Sequence, residues 1–308
     1  MRLGFFLPQL GPAAGPDAMT DIARRAEERG FDSLWVTERI LWPIEPQVPY
    51  VASADGSLPE VFKINLDPVA ALAYVAGQTS RIRVGTSVLN LPWYNPVLLA
   101  RSLTTLDVVS RGRLIAGFGM GWSPDEYEAA GSPWHRRGRR MDENLEALEA
   151  IWTTDPVEYE GTDFRIPRSI IGPKPVQNPR PPIYMAAYTE PALARVARFA
   201  DAWMPVGVPI PAMTGMLEGV RSAAAQHGRD GSAIELVVRA NVYLTDRPLG
   251  DDRFPFAGTP DQIAADVAAS REAGAAEITF DPSFDPGVTT PADFASRLDL
   301  FHEIATGA

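Results

Sequence analysis

The chain has 308 residues, of which 45% are apolar, and its formal net charge is -11. A nucleic-acid binder or a protein of anionic membranes usually carries the opposite charge in basic patches, so neither partner is expected, although His135–Arg140 forms one local basic cluster. The absence of cysteine excludes disulfides, iron–sulfur clusters and thiolate zinc sites, and three scattered histidines do not suggest a metal centre. With no cleavage signature at its start and no apolar segment of membrane-spanning length, the chain is expected to be cytoplasmic.

Short β-branched runs alternate with amphipathic helical segments along the whole chain. The runs predict strands over 2–8, 33–37, 82–88, 113–119, 182–187, 202–206, 234–244 and 277–281. Helices are predicted over 17–29, from Asp67, over 97–109, from Ser123, over 137–152, around 193–200, over 212–227, from Thr259 and from Thr290.

Strict alternation of strands and helices implies parallel strands, and eight of them in this length favour a closed (β/α)8 barrel, a TIM barrel, over an open sheet. No linker or break in composition divides residues 1–308, so one domain is expected. The segments 38–66 and 153–181 are long and rich in proline. Loops that follow strands lie at the carboxyl-terminal face of a barrel, where barrel active sites are found.

Four stretches at predicted strand ends carry the candidate chemistry, and each also has an ordinary structural interpretation. They are 85–92 (GTSVLNLP), 117–122 (GFGMGW), 37–42 (TERILW) and 185–191 (MAAYTEP). The second is not a dinucleotide fingerprint, because position 122 is Trp122 and not glycine. The first could be a plain strand end, Glu38 and Arg39 a surface ion pair, and the fourth tight helix packing. Their convergence on one barrel face favours a functional interpretation.

The chain resembles the luciferase-like flavin and deazaflavin oxidoreductases, and within them the deazaflavin-dependent group. The similar stretches are 30–38 (GFDSLWVTE), 79–88 (TSRIRVGTSV), 106–114 (LDVVSRGRL), 117–122, 173–177 (PKPVQ) and 200–203 (ADAW). The resemblance implies a luciferase-like barrel whose mouth holds coenzyme F-420, an 8-hydroxy-5-deazaflavin, or alternatively FMN. It also leaves a homodimer open.

The resemblance implies cofactor-binding roles for several residues of this chain. Ser87 and Val88 match a non-proline cis peptide that backs the ring, and Asn90 matches a ring contact just beyond it. Phe118 and Gly119 match a contact on the fourth strand. The segment Ala186, Ala187 and Tyr188 falls where relatives bind phosphate with a Gly-Gly pair.

Two departures bear on the chemistry. Where the sugar-phosphate dehydrogenase branch has an acidic residue followed by histidine, this chain has Glu38 and Arg39, and Met120 stands in place of a glutamate base. A permanently charged arginine cannot act as a general acid as histidine does, so sugar oxidation is not favoured. Glu38 and Arg39 remain the candidate catalytic residues.

The sequence therefore predicts hydride transfer through the deazaflavin to or from a small organic substrate. The first alternative is an FMN-dependent monooxygenase of the same fold that a separate reductase supplies. A metal-dependent barrel hydrolase and a non-catalytic flavin-binding protein are weaker alternatives.

Overall fold

The computed structural model of the chain describes residues 1–53 and 55–307. Its strands are β1 (Arg2–Phe6), β2 (Ser33–Val36), β3 (Arg83–Thr86), β4 (Leu89–Asn90), β5 (Leu114–Gly119), β6 (Val157–Glu160), β7 (Arg165–Ser169), β8 (Ile183–Met185), β9 (Ala202–Trp203), β10 (Glu235–Asn241), β11 (Tyr243–Leu244), β12 (Ala257–Gly258) and β13 (Ala275–Asp281). Its α-helices are α1 (Pro16–Arg29), α2 (Pro68–Ala76), α3 (Pro96–Val109), α4 (Pro124–Ala129), α5 (Arg137–Thr153), α6 (Glu190–Phe199), α7 (Ile210–Ala224), α8 (Pro260–Glu272) and α9 (Pro291–Thr306).

The strands form a closed parallel barrel, which confirms the predicted fold class. The hydrogen-bonded order runs β1, β2, β3, β5, β8, β9, β10 and β13, and β13 pairs with β1 to close the ring. The closing register places Arg2 opposite Glu277 and Phe5 opposite Phe280. The strand β4 continues the path of β3 beyond an interruption and pairs with β5.

Local sequence signals set several helix ends as predicted. Asp67 caps α2 by accepting the Ala70 N–H at 2.7 Å, with Pro68 in the first turn. Thr259 and Thr290 each form a reciprocal capping box, at the starts of α8 and α9. Gly30 ends α1 with a φ of 84°, a conformation that glycine adopts without strain.

Alternate residues of each strand point to opposite sides of the barrel wall. The inward side chains form one apolar cluster: Phe6, Trp35, Ile115, Tyr184, Ala202, Met204 and Val237. The outward side chains, such as Leu34 and Val36, belong to the larger core between the barrel and the helices.

The amino-terminal end of the barrel is filled by a buried ion network. The Glu277 carboxylate is fully buried, and it accepts hydrogen bonds from Arg83 at 2.8 Å, from Arg2 at 3.2 Å and from the Ser33 hydroxyl. The Trp35 indole N–H donates to Ser33 Oγ at 2.7 Å. Charged groups therefore close this end, and the opposite end is left to form the mouth.

The two long segments have different positions. Of the first segment, residues 38–53 and 55–66 follow β2 and lie at the carboxyl-terminal face. The segment 153–181 begins where α5 ends and contains the antiparallel β6–β7 hairpin. Lys174 binds the Ile151 carbonyl, and the Val176 N–H binds Asp107 near the end of α3, so these residues lie at the amino-terminal face. In the described ranges, no helix is both long and apolar enough to cross a membrane.

Candidate active site

Aromatic side chains from the segment 38–66 lie over the carboxyl-terminal mouth of the barrel. The Tyr50 ring lies 5.1 Å from the Trp122 ring and 5.8 Å from the Phe62 ring, centroid to centroid. Trp122 follows β5, so the segment after β2 is packed onto the end of another strand. Burial raises the pKa of Tyr50, which keeps its phenol protonated as a hydrogen-bond donor.

The peptide bond between Ser87 and Val88 is cis, at the position that the resemblance implies. The Val88 side chain is half-buried and covers the α-carbon of Gly119, where a Cβ would lie 2.4 Å from Val88 Cγ2. A Cβ on Gly117 would lie 1.7 Å from the Thr86 carbonyl oxygen. These two glycines are therefore required by packing against residues 86–88. Val88 is left as an apolar surface at the mouth.

Glu38 is buried at the end of β2 and holds Asn90. Its carboxylate accepts the Asn90 N–H at 2.6 Å, the Asn90 side-chain amide at 3.2 Å and the hydroxyl of Tyr94. Burial raises the pKa of Glu38 to about 7, more than these three donors lower it. The side chains of Leu34 and Val36 point outward from β2, into the core between the barrel and the helices. Glu38 follows at the same two-residue spacing, so its side chain also points outward from the barrel.

Arg39 is neutralised by Glu126 of α4. The two side chains form an ion pair in which only 10% of Arg39 and 1% of Glu126 are exposed. The guanidinium also lies 4.5 Å from the Trp122 ring centroid and 4.9 Å from that of Phe62. The second Glu126 oxygen accepts the Ile40 N–H at 3.0 Å. Arg39 thus fixes the aromatic residues of the mouth.

The other predicted cofactor residues are distributed between the mouth and the core. The Phe118 side chain is fully buried in the outer core, so it could touch a ligand in the mouth only through its backbone. The Ala186 N–H donates to the Phe118 carbonyl at 3.1 Å, and the Ala187 carbonyl accepts the Trp203 indole N–H at 2.9 Å. Tyr188 is 49% exposed, but its hydroxyl turns inward and accepts the Val206 N–H at 3.3 Å.

Sequence reasoning missed a second buried ion pair, between Arg239 of β10 and Asp281 of β13. Arg239 Nη2 lies 2.6 Å from Asp281 Oδ2, Nη1 donates to the Ser87 carbonyl, and Nε donates to Asn241 Oδ1 at 3.0 Å. The guanidinium lies 4.5 Å from the Phe6 ring centroid. Arg239 stands two residues after Val237, whose side chain points into the barrel, so the alternation of side chains along β10 directs Arg239 inward as well. A charged residue at an inward strand position is the sequence feature that could have identified this ion pair.

Two aromatic residues that follow β4, Trp93 and Tyr94, are held by neighbouring side chains. Trp93 is 9% exposed and packs edge-on against Tyr127, while Tyr94 is bonded to Glu38. Within residues 1–53 and 55–307, no group of three or more histidine, aspartate or glutamate side chains is placed to hold a metal ion.

Comparison with known proteins identifies the family. The model of the luciferase-like monooxygenases matches residues 1–249. The chain belongs to this family. It is 35% identical over 268 residues to the uncharacterized protein Rv0953c of Mycobacterium tuberculosis, covering 83% of this chain and 92% of that protein.

Two solved structures share the fold over nearly the whole length of both chains. The monooxygenase RslO1 from Streptomyces bottropensis has a TM-score of 0.78 and 24% identity, covering 100% of this chain and 99% of that one. An F420-dependent secondary alcohol dehydrogenase, solved with an F420–acetone adduct, has a TM-score of 0.77 and 17% identity, covering 98% and 97%. These two similarities show the shared fold, and membership of the luciferase-like family places the protein among oxidoreductases and monooxygenases.

Proposed function

We propose that this enzyme is a coenzyme F-420-dependent oxidoreductase that transfers a hydride to or from a small organic substrate at the barrel mouth. The observation that carries the proposal is the composition of the mouth. An apolar surface at Val88 adjoins an ion pair, Arg239 with Asp281, and a wall of aromatic rings. Such a site can seat a flat ring and can stabilise charge that develops on a substrate beside it.

When bound, the deazaflavin supplies the hydride chemistry, and the residues of this chain position it. Val88, backed by Gly119, would support one face of the ring. The Asn90 amide N–H is held by Glu38, which leaves its Oδ1 as an acceptor for a ring N–H. In this arrangement Glu38 and Arg39 act as positioning residues, Glu38 through Asn90 and Arg39 through Trp122 and Phe62.

The phosphate of the coenzyme would bind where α6 begins. The N-cap residue Thr189 makes no side-chain capping hydrogen bond, and the N–H groups of a first helical turn favour an anion. Because the Ala186 N–H is already bonded to Phe118, the N–H groups of Ala187 and Tyr188 are the better candidates.

The FMN-dependent monooxygenase remains the second candidate. The similarity in fold to the monooxygenase RslO1, with the higher TM-score of the two structures compared, favours it. The two candidates differ in chemistry: a reduced flavin reacts with oxygen, whereas a deazaflavin carries carbon at the reactive ring position and transfers a hydride.

A titration of the purified protein with coenzyme F-420 and with FMN, followed by quenching of tryptophan fluorescence, tests the proposal. We expect micromolar or tighter binding of the deazaflavin and much weaker binding of FMN. The variant Val88→Asp should bind the deazaflavin at least about tenfold more weakly, since a charge would face the ring. The matched control is Val176→Asp, at a side chain that is 58% exposed at the other end of the barrel.

Preference for FMN, with oxygen consumption by the reduced complex, would replace the proposal with the second candidate. If neither coenzyme binds to the folded protein, both candidates are wrong, together with the cofactor roles of Ser87, Val88 and Asn90.

A further inference from the structure

We propose that Arg239 and Tyr50 form the substrate-binding site of the mouth, and that the substrate is an uncharged, flat, conjugated ketone whose oxygen they bind. This inference rests on the proposed hydride transfer. It assigns a role to a buried ion pair that neither the sequence motifs nor the resemblance included.

Arg239 is held rigidly but keeps hydrogen-bonding capacity. A guanidinium has five N–H groups. Four are used, by Asn241 Oδ1, the Ser87 carbonyl, Ser87 Oγ and Asp281 Oδ2, and an Nη2 N–H remains. With the side chain 11% exposed and one face lying on the Phe6 ring, the remaining N–H is fixed in direction. A donor fixed in this way can bind a substrate oxygen without reorganisation.

The spare donors of the site match a single oxygen atom better than a carboxylate or a phosphate. Asp281 is fully buried and its pairing with Arg239 leaves one Arg239 N–H, while Glu126 pairs with Arg39. A carboxylate or a phosphate needs several donors in fixed positions. One Arg239 N–H together with the Tyr50 hydroxyl can instead bind one carbonyl oxygen, and binds it more strongly as that oxygen gains charge in the reaction.

Ring contacts connect Tyr50 to the end of β13 that carries Asp281. The Tyr50 ring packs on Phe62, and the Phe62 ring lies 5.7 Å, centroid to centroid, from that of Phe284, three residues beyond Asp281. Tyr188 is joined to the same region, because its hydroxyl accepts the N–H of Val206, which pairs with Arg239. The pKa of Tyr50 is raised by burial, so its phenol stays protonated as a donor. Among the described residues, the Tyr50 hydroxyl forms no hydrogen bond, and its ring packs against Trp122 and Phe62. Flat substrates would stack within this aromatic wall.

The step that this site supports is reduction of a conjugated ketone. When bound, the reduced deazaflavin would supply a hydride, with its electron pair, to form a C–H bond at the conjugated carbon of the ketone. The carbon–carbon π electrons move to make an enolate, and its oxygen is stabilised by Arg239. The enolate then takes a proton, which the phenol of Tyr50 can deliver and regain from water. The coenzyme is oxidised and the ketone is reduced by two electrons.

An enolate analogue tests the site without turnover. 4-Nitrophenol changes its absorption when it ionises, so its spectrum reports whether the protein binds the phenolate. We expect the protein saturated with deazaflavin to bind the phenolate, and to bind 4-nitrobenzoate more weakly. Arg239→Lys should weaken phenolate binding about tenfold or more, since it loses a directed, charge-assisted donor, and Tyr50→Phe should weaken it several-fold.

The matched control is Arg180→Lys. Arg180 is 10% exposed, close to the 11% of Arg239, and also lies 2.6 Å from an aspartate, Asp201, but it stands at the opposite end of the barrel. It should leave phenolate binding unchanged. Cyclohex-2-en-1-one should be reduced by the wild type faster than cyclohexanone, and that preference should fall in Tyr50→Phe.

Unchanged phenolate binding in folded Arg239→Lys and Tyr50→Phe would overturn the inference. So would a loss of deazaflavin affinity alone in Arg239→Lys, because Arg239 would then belong to the coenzyme site. Failure of the wild type to bind deazaflavin is a separate result that rejects the proposed function and not this oxygen site, which the phenolate also reports in the coenzyme-free protein.

Discussion

Two buried glutamates of this chain respond to burial with opposite changes in pKa. Burial acts to raise both values. At Glu143, the backbone N–H groups of residues 162–164 outweigh burial, and the pKa is lowered. At Glu38, burial prevails over the donors Asn90 and Tyr94, and the pKa rises to about 7. The cost of desolvation is therefore offset by the backbone at one site and not at the other.

This difference predicts how Glu38 changes stability with pH. The folded protein holds the Glu38 proton up to about pH 7, whereas the unfolded chain releases it near 4.5. Between these values the native state binds more protons, so the free energy of unfolding falls as pH rises. Glu38→Gln should remove this loss, up to about 3 kcal/mol. Urea unfolding at pH 5 and pH 8 measures it.

The control for Glu38 is Glu143→Gln. A lowered pKa affects stability only in more acidic solution, so the effect of this substitution should be the same at pH 5 and pH 8. If the wild type and Glu38→Gln differ equally at both pH values, Glu38 is already ionised at pH 5 and the expected pH dependence is wrong.

At the scale of elements, the junction of β3, β4 and β5 depends on one close contact. The ladder between β2 and β3 ends at Thr86, and β4 then pairs Leu89 with Phe118 on β5. The Val88 side chain occupies the space beside Gly119 that a Cβ would fill. The position of the apolar surface at the mouth therefore depends on a glycine in the neighbouring strand.

We expect Gly119→Ala to destabilise the protein by about 1–3 kcal/mol, because the new methyl group would clash with Val88. The double variant Val88→Ala, Gly119→Ala should recover most of this loss, which a double-mutant cycle measures by denaturation. Gly215→Ala serves as the control, since no atom lies within 4 Å of its built Cβ and alanine favours a helix. Additive effects of the two mouth substitutions would contradict the contact.

The sequence predicted these elements well and their interruptions poorly. The periodicity of apolar residues identified the barrel strands, because alternate side chains of each strand are buried. The strand predicted over 82–88 divides at Ser87, since residues 87–88 leave the ladder to form the mouth. At the start of the helix predicted from Ser123, the Ser123 side chain accepts the Glu126 N–H, but the Glu126 side chain does not return the bond, because it turns to Arg39, 87 residues away in sequence. Such long-range pairing has no local signal.

At the scale of the whole molecule, the two ends of the barrel contain the same kind of ion pair, although one end is closed and the other forms the mouth. Each end carries a buried carboxylate paired with arginine, Asp281 at the mouth and Glu277 at the closed end, on one strand. Period-two alternation along β13 places both inside the barrel. Sequence motifs near strand ends predicted the mouth. The inward pairs Arg239–Asp281 and Arg83–Glu277 could not be predicted in this way, because each depends on the register between strands that are distant in sequence.

Glu277 should be the more important of the two for stability, because it joins the strands on both sides of the closing seam. Its carboxylate binds Arg2 of β1, Ser33 of β2 and Arg83 of β3, and none of its side chain is exposed. Glu277→Ala removes the buried carboxylate from two partly buried arginines, of which Arg2 keeps Glu235 as a partner, and should lower the free energy of unfolding by about 3 kcal/mol.

Thermal and urea denaturation measure this loss, with exposed Glu303→Ala of α9 as the control, expected within about 0.5 kcal/mol of the wild type. Below its melting transition, Glu277→Ala should bind the deazaflavin with wild-type affinity, because the network lies at the end of the barrel opposite the mouth. A variant as stable as the control would mean that backbone pairing alone closes the barrel. Lost affinity in the folded variant would mean that the two ends are coupled through the inward cluster around Trp35.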